Sequence, residues 1–288
     1  MTSLPVSVDK PLGVFDSGVG GITILKAISQ VLPDESLLYL ADQAHVPYGA
    51  RSLEQIREFS QEITHYLLTQ GAKLIVVACN TASAAALHYL REIFPQTLFV
   101  GMEPAVKPAA ETTRSGVVGV LATTATFQGA LYASVIERFT QGVTVLQDTC
   151  PGLVAQIENG HLDTPETRLI LEKAIHPMLK AGIDTIVQGC THYPFVTPLI
   201  QEIAGPQVRV IDPSPAIARQ VSRLIDSHNI RTEQATSSEG YGNNAKLGKV
   251  RFLTSGDPVR LKAMLPRLWG QSAEVEKITW KSGKLGNS

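Results

Sequence analysis

The polarity of the chain alternates in blocks. Short, uninterrupted apolar runs each give way to a polar turn and then to a segment whose apolar residues recur at helical spacing. PLGVF (11–15) is the first such run, and its lack of alternation predicts a strand covered on both faces. DSGVGG (16–21) turns it into a predicted helix over 22–32. SLLYLAD (36–42) predicts a second strand, leading into the loop QAHVPYGAR. Ser52 and Gln55 have capping-box spacing, so a helix should start there, with Leu53, Ile56, Ile63 and Leu67 forming one apolar face. KLIVVACN predicts a third buried strand, TASAAALHYLREI a helix, and LFVGMEP (98–104) a fourth strand. Regular alternation of strand and helix is the pattern of a parallel, doubly wound sheet.

Beyond a hinge expected around Pro104 and Pro108, the order returns. GVVGVLATTAT (116–126) repeats strand, polar turn and helix, and VTVLQDTCPG (143–152) repeats strand and loop. Thr164 followed by Pro165 marks a helix start, and Pro177 is expected to kink or shorten that helix. TIVQGCTHYP (185–194) then echoes LIVVACNTAS (74–83): Cys79 and Cys190 stand 111 positions apart, and Phe59, Ile63 and Leu67 fall on Ile170, Ala174 and Met178 at the same offset. Residues 208–228 predict a strand, a turn and a helix returning to the first half. The polar stretch 232–249 predicts a surface loop, VRFLTSGDPVRLKAML a strand and a helix capped by Asp257, and VEKITW (275–280) a last, edge strand. The expected architecture is α/β: two pseudo-symmetric doubly wound parallel-sheet domains, residues 1–105 plus 217–288 and residues 106–216, with the site in the cleft between them.

Composition narrows the partners. With 25 basic against 26 acidic side chains and no basic block, neither nucleic acid nor an anionic membrane surface is expected as the main partner. MTSLPVSVDK lacks the basic and apolar regions of a signal peptide, and no apolar run is long enough to span a bilayer. Three cysteines are too few and too odd in number for a disulfide framework, which suits a reducing cytoplasm.

Ligands of open parallel sheets bind beyond the carboxyl ends of the strands. Asp16-Ser17-Gly18, Tyr48-Gly49, Cys79-Asn80-Thr81 and Cys190-Thr191-His192 occupy that place, with Thr123 and Thr126 joining from the second half. A thiol in an apolar strand is usually a small hydrophobe. Here both sit where strand gives way to helix, where first-turn N–H groups favour a thiolate, and both are followed by polar residues. Cys150 has no matching partner and reads as structural. DSGVGG fails the dinucleotide pattern, yet its N–H groups suit a small carboxylate. Asp16 either caps the following helix, takes a proton from a thiol, or orients a ligand's ammonium. His192 is either a role-free loop histidine or a general acid–base with a pKa near neutrality. The remaining histidines form no ligand-like spacing, and Glu158, in IENG, reads by composition as an ordinary exposed glutamate. Two thiols on opposed half-sites suit racemisation at an α-carbon, one removing the proton and the other returning it on the far face. Asn80, Thr81 and Thr191 are donors for the developing charge.

PLGVFDSGVGG, HVPYG, VVACNTAS, GVLATTAT and GCTHYP, in that order, resemble glutamate racemases of the cofactor-independent aspartate/glutamate racemase superfamily, over Pro11 to Leu224. The resemblance implies a two-domain enzyme that interconverts L- and D-glutamate and supplies D-glutamate for peptidoglycan. It implies Cys79 and Cys190 as the acid–base pair, Cys79 facing the D-isomer and Cys190 the L-isomer. It also implies Asp16, Glu158 and His192 as assisting groups. Asp16, Ser17, Tyr48, Gly49, Asn80, Thr81, Thr191 and His192 are implied substrate contacts, with the Thr123 and Thr126 hydroxyls nearby. No metal, pyridoxal phosphate or nucleotide is called for, the partner is the small-molecule substrate glutamate, and association as a homodimer stays open. Gly129 replaces a serine common among relatives. Only ten residues precede Pro11, so the N-terminal extension by which some members sense a cell-wall precursor is expected to be absent. Three other readings compete: an aspartate racemase, a hydrolase or acyl transferase with one nucleophilic cysteine, and a non-catalytic two-lobed amino-acid binding protein.

Overall fold

In the computed structural model, residues 10–232 and 248–287 are described. The first half runs β1 (Leu12–Asp16), α1 (Ile22–Val31), β2 (Leu37–Ala41), α2 (Leu53–Thr69), β3 (Leu74–Val77), α3 (Asn80–Ile93) and β4 (Phe99–Gly101). The second runs α4 (Val106–Thr112), β5 (Val117–Ala122), α5 (Thr124–Gln128), α6 (Ala130–Phe139), β6 (Thr144–Asp148), α7 (Leu153–Glu158), α8 (Pro165–Lys180), β7 (Thr185–Gly189), α9 (Thr197–Ala204) and β8 (Arg209–Ile211). The chain then returns through α10 (Ser214–Ser227), β9 (Val250–Thr254), α11 (Pro258–Leu268), β10 (Val275–Lys281) and β11 (Lys284–Asn287).

Two sheets form, ordered β11-β10-β9-β2-β1-β3-β4 and β6-β5-β7-β8. The block β2-β1-β3-β4 and the whole second sheet therefore share one strand order, and all their pairings are parallel. The 111-residue offset holds from α2 and α8 through β3 and β7. β1 starts at Leu12 against Val117 for β5, a smaller separation, because the loops differ in length. Every residue of β1, β2, β3 and β7 is buried, as unbroken apolar runs require when helices cover both faces. The capping box at Ser52 forms in both directions, and Asp257 caps α11 with Pro258 at its first position. α10 packs against α1, and one apolar core runs from Leu12, Ile24 and Ile28 through Val221 and Ile225 to Leu153 and Ile175 of the second half.

Three expectations change. Pro177 neither shortens nor ends α8, which continues to Lys180: the proline lies in the last turn, where Ala181 N–H closes on its carbonyl. VEKITW is not the last strand. Ser282 and Gly283 both adopt positive φ, 48° and 74°, and reverse the chain into antiparallel β11, the backbone pairing that favours a tight hairpin. The hinge region around Pro108 is itself helical, in α4. Most of the expected 232–249 loop, and the segment before residue 10, lie outside the described residues.

A buried ion pair ties the lower edge of the first sheet to the chain after α10. Lys73 Nζ lies 2.7 Å from Glu35 Oε2, both side chains essentially without exposure, and donates to Ile230 O at 2.8 Å. Thr232 donates both its N–H and its hydroxyl to Glu35 at 2.8 Å. Removing one partner of such a pair strands a buried charge at about 3–5 kcal/mol. Lys73→Met should therefore lower unfolding stability by about that amount, and the double variant Lys73→Met/Glu35→Leu should recover most of it; urea titration measures both.

Candidate active site

The carboxyl ends of β1 and β3 face those of β5 and β7, and the polar turns expected there meet in one cleft. It is lined by Ser17, Tyr48, Gly49, Cys79, Asn80, Thr81, Thr123, Cys190, Thr191 and His192, joined by Pro47 and Val154, which the sequence did not single out. Among the described residues no lysine or arginine lines it. Its free volume is about 10 Å³, room for about one water.

Cys79 is the N-cap of α3: its Sγ accepts from Ala82 N–H at 3.4 Å and contacts Ser17 Oγ at 3.9 Å. The first-turn N–H does reach the sulfur, as expected, but it does not win. Burial, and next the charge of Asp16, push the Cys79 thiol well up, so it stays protonated at neutral pH. Cys190 differs: a short 3-10 turn at Tyr193–Val196, not an α-helix, follows it. Its Sγ lies 3.7 Å from His192 Nδ1.

His192 and Glu158 form a buried pair, Nε2 to Oε1 at 2.6 Å, with relative side-chain exposures of 2% and 9%. Burial disfavours charge on both, but mutual attraction outweighs it. The hydrogen bonds that His192 makes to Cys190 and Glu158 hold it well above its ordinary value. The His192 bond and charge, with Gln43 and Val19 as further donors, hold Glu158 below its own. The near-neutral pKa expected for His192 is thus overturned, and so is the exposed Glu158. Composition carries no signal for Glu158, because its partners His192, Val19 and Gln43 are all distant from it in sequence.

The glycine loop acquires a specific reading. Its N–H groups do hold carboxylates, but the protein's own: Gly18 N–H donates to Asp16 Oδ2 at 2.9 Å and Val19 N–H to Glu158 Oε1 at 2.7 Å. A Cβ at Gly18 would lie 1.8 Å from Glu158 Oε1, and one at Gly20 would lie 2.6 Å from His192 Nδ1. The glycines let the second half approach. Asp16 does not cap α1, whose N-cap is Gly21 without a side-chain bond; it accepts from Thr191 Oγ1 at 3.1 Å. Burial raises its pKa despite the nearby charge of His192.

The hydroxyls of Thr81, Thr123 and Thr126 form a triangle across the cleft, with Thr81 to Thr123 at 2.8 Å, Thr123 to Thr126 at 2.9 Å and Thr81 to Thr126 at 3.3 Å. Tyr48 is held by Asp42, whose buried carboxylate accepts from Tyr48 Oη, Ser255 Oγ and Trp280 Nε1, each at 2.7 Å. Asn80 is the exception in this satisfied network. It is 2% exposed, yet among the described residues neither its amide oxygen nor its nitrogen has a partner. Gly129 is more than a missing cap: a Cβ there would stand 2.5 Å from that of Ala84 in α3. Cys150 is buried in the turn before α7 and does not line the cleft. Among the described residues no group of three or more His, Cys, Asp and Glu side chains is placed to hold a metal ion, and no helix is long and apolar enough to cross a membrane.

A family model described as Asp/Glu/Hydantoin racemase matches residues 22–221. The glutamate racemase of Ectopseudomonas mendocina is 51% identical over 92% of this chain and 97% of its own length. The chain belongs to the Asp/Glu/hydantoin racemase family, among the glutamate racemases. Solved glutamate racemases share the fold. That of Bacillus anthracis gives a TM-score of 0.81 at 30% identity, covering 96% of this chain and 98% of its own. That of Francisella tularensis, in complex with D-glutamate, gives 0.80 at 27%, covering 94% and 98%. The pseudo-symmetric α/β fold expected of a racemase from the sequence is the one observed.

The Glu158–His192 pair makes stability depend on pH. The raised histidine contributes fully below its ordinary 6.5 and fades as pH rises through its folded value. The lowered carboxylate contributes above its ordinary 4.5 and is lost as pH falls through its folded value. The stability gap between wild type and Glu158→Gln should therefore be widest near pH 5–6 and narrow towards both pH 3.5 and pH 9, as urea titrations across that range would show.

Proposed function

We propose that this racemase-family chain interconverts L- and D-glutamate without a cofactor, by proton transfer at Cα between Cys79 and Cys190. The observation that carries the reading is one closed cleft with a buried thiol from each half and dissimilar helpers behind them. Cys190, backed by His192, takes the α-proton of the L-isomer. His192, held charged by Glu158, offers Nδ1–H to the sulfur and steadies it as an acceptor. Cys79, kept as a thiol by burial, delivers a proton to the opposite face. In the reverse direction Cys79 must give up its proton first; the charge of Asp16 raises that cost, so Asp16 assists only by taking the proton itself.

The negative charge that develops on the substrate carboxylate needs fixed donors. Asn80 suits that task because its amide is buried and unpaired, and such a group costs about 1–3 kcal/mol until a ligand satisfies it. Ser17, Thr81, Thr191 and the Tyr48-Gly49 turn complete the contacts, with Thr123 and Thr126 behind Thr81. Relatives near half identity carry the name glutamate racemase, which favours glutamate over aspartate. In this reading the chain divides into residues 1–105 with 217–288 and residues 106–216, works in the cytoplasm, and provides D-glutamate for peptidoglycan.

A second thiol separates this reading from a single-nucleophile hydrolase and from a binding protein. Incubated in deuterated water without added cofactor, the protein should exchange the α-hydrogen of both glutamate enantiomers and leave aspartate nearly untouched. Cys79→Ala and Cys190→Ala should each lose about a thousandfold or more in racemisation, the usual worth of a positioned acid–base group. Near-normal turnover in either variant rules out the two-base mechanism. Asn80→Ala should leave the free protein at least as stable as wild type while weakening glutamate binding about tenfold or more, as loss of a hydrogen bond to a charged group does; calorimetry and thermal melting read the two effects separately.

A further inference from the structure

Glu158 Oε1 is occupied by Val19 N–H and His192, and its other oxygen has a different partner. Gln43 Nε2, from the loop after β2, donates to Glu158 Oε2 at 3.0 Å. The direction of this amide is set from its far end. Gly256 N–H donates to Thr254 Oγ1 at 2.9 Å, which turns the Thr254 hydroxyl proton towards Gln43 Oε1, 2.8 Å away. With Oε1 held there, the NH₂ group must face the carboxylate. Gly256 also leaves the space: a Cβ there would stand 2.6 Å from Gln43 Cβ. Gln43 does not line the cleft that holds the thiols. Cys79, whose contacts are Ser17 and Ala82, has no link to this chain of bonds.

We propose that Gln43, steered by Thr254, is a positioning residue for the Cys190 half of the reaction, keeping Glu158 aimed so that His192 presents Nδ1 to Cys190. The proposal rests on the racemase reading and extends it to a residue of the opposite half. Because Gln43 lies on the first half and Glu158 on the second, the bond forms only when the halves are closed. The readiness of Cys190 is thereby tied to closure, while that of Cys79 is not.

The test uses the full chain with Gln43→Met, which keeps bulk and removes the donor, and Gln43→Glu, which sets an acceptor against the carboxylate. Racemisation of mirror images has an equilibrium constant of unity, so kcat/KM must fall equally in both directions, whatever the cause. Isotope effects with α-deuterated L- and D-glutamate separate the half-reactions. Gln43→Met should lower kcat/KM about tenfold, as loss of a bond to a charged group does, and Gln43→Glu should lower it further. The substrate isotope effect should rise for the enantiomer whose proton Cys190 removes. It should fall towards unity for the other, because proton return from Cys190 then becomes the slow step. Thr254→Val should give the same opposed pattern at smaller size. Isotope effects that stay unchanged, or move in the same direction for both enantiomers, overturn the positioning role. Absence of racemisation in the wild type instead overturns the reading on which the proposal rests.

Discussion

A carboxylate carried by one half of the chain is buried in the backbone of the other. Glu158 leaves the end of α7, enters the glycine loop after β1, and accepts from Val19 N–H at 2.7 Å, His192 at 2.6 Å and Gln43 at 3.0 Å. Burying a charged carboxylate costs several kcal/mol unless all its acceptor sites are met, and here the donors come from both halves. The same junction is gripped from outside by Arg260 of α11, which donates to Glu158 O at 2.9 Å and bonds to Asn159 Oδ1. Opening the cleft would strip this carboxylate of its first-half donors. Val19 and Gln43 thus complete from the first half a carboxylate that backs Cys190 in the second.

The strand order of the two halves is the same, but the chemistry set on them is not. Cys79 opens a true α-helix and is surrounded by Ser17, Ala82 and the charge of Asp16. Cys190 opens a 3-10 turn and faces a histidine clamped by a carboxylate. The repeated strand order sets one thiol after β3 and another after β7, and the departures from symmetry give them different neighbours. Substrates that are mirror images at one carbon, and alike in their other groups, call for that combination.

The elements of this fold were largely legible along the chain because buried parallel strands are written as unbroken apolar runs. LIVV at β3 and the Ser52–Gln55 cap are local signals, complete within a few residues. The misreadings were also local rules set aside by context. Pro177 falls in the final turn of α8, where its carbonyl still accepts from Ala181 and the helix needs little further continuation. The hairpin at Ser282-Gly283 depends on two positive φ angles whose sequence cue is short. In the site, the residues next to the two cysteines were visible as polar positions at strand ends. Pro47 and Gln43 lay in the quoted loop QAHVPYGAR without a chemical cue of their own, and nothing near Val154 marks it.

By itself the sequence determined the α/β architecture, the pairing of the two cysteines, the glycine-rich turn and the family likeness. All of these follow from periodicity, spacing and motif, properties read along one dimension. Tertiary structure decided the charge states and the contacts between halves. It raised the Cys79 thiol, held His192 charged, buried Glu158, left Asn80 without a partner, and joined Gln43 to a carboxylate 115 positions away. A proton's residence depends on solvent exclusion and on which charges stand within a few ångströms. Those neighbours are set by how two distant halves close on each other.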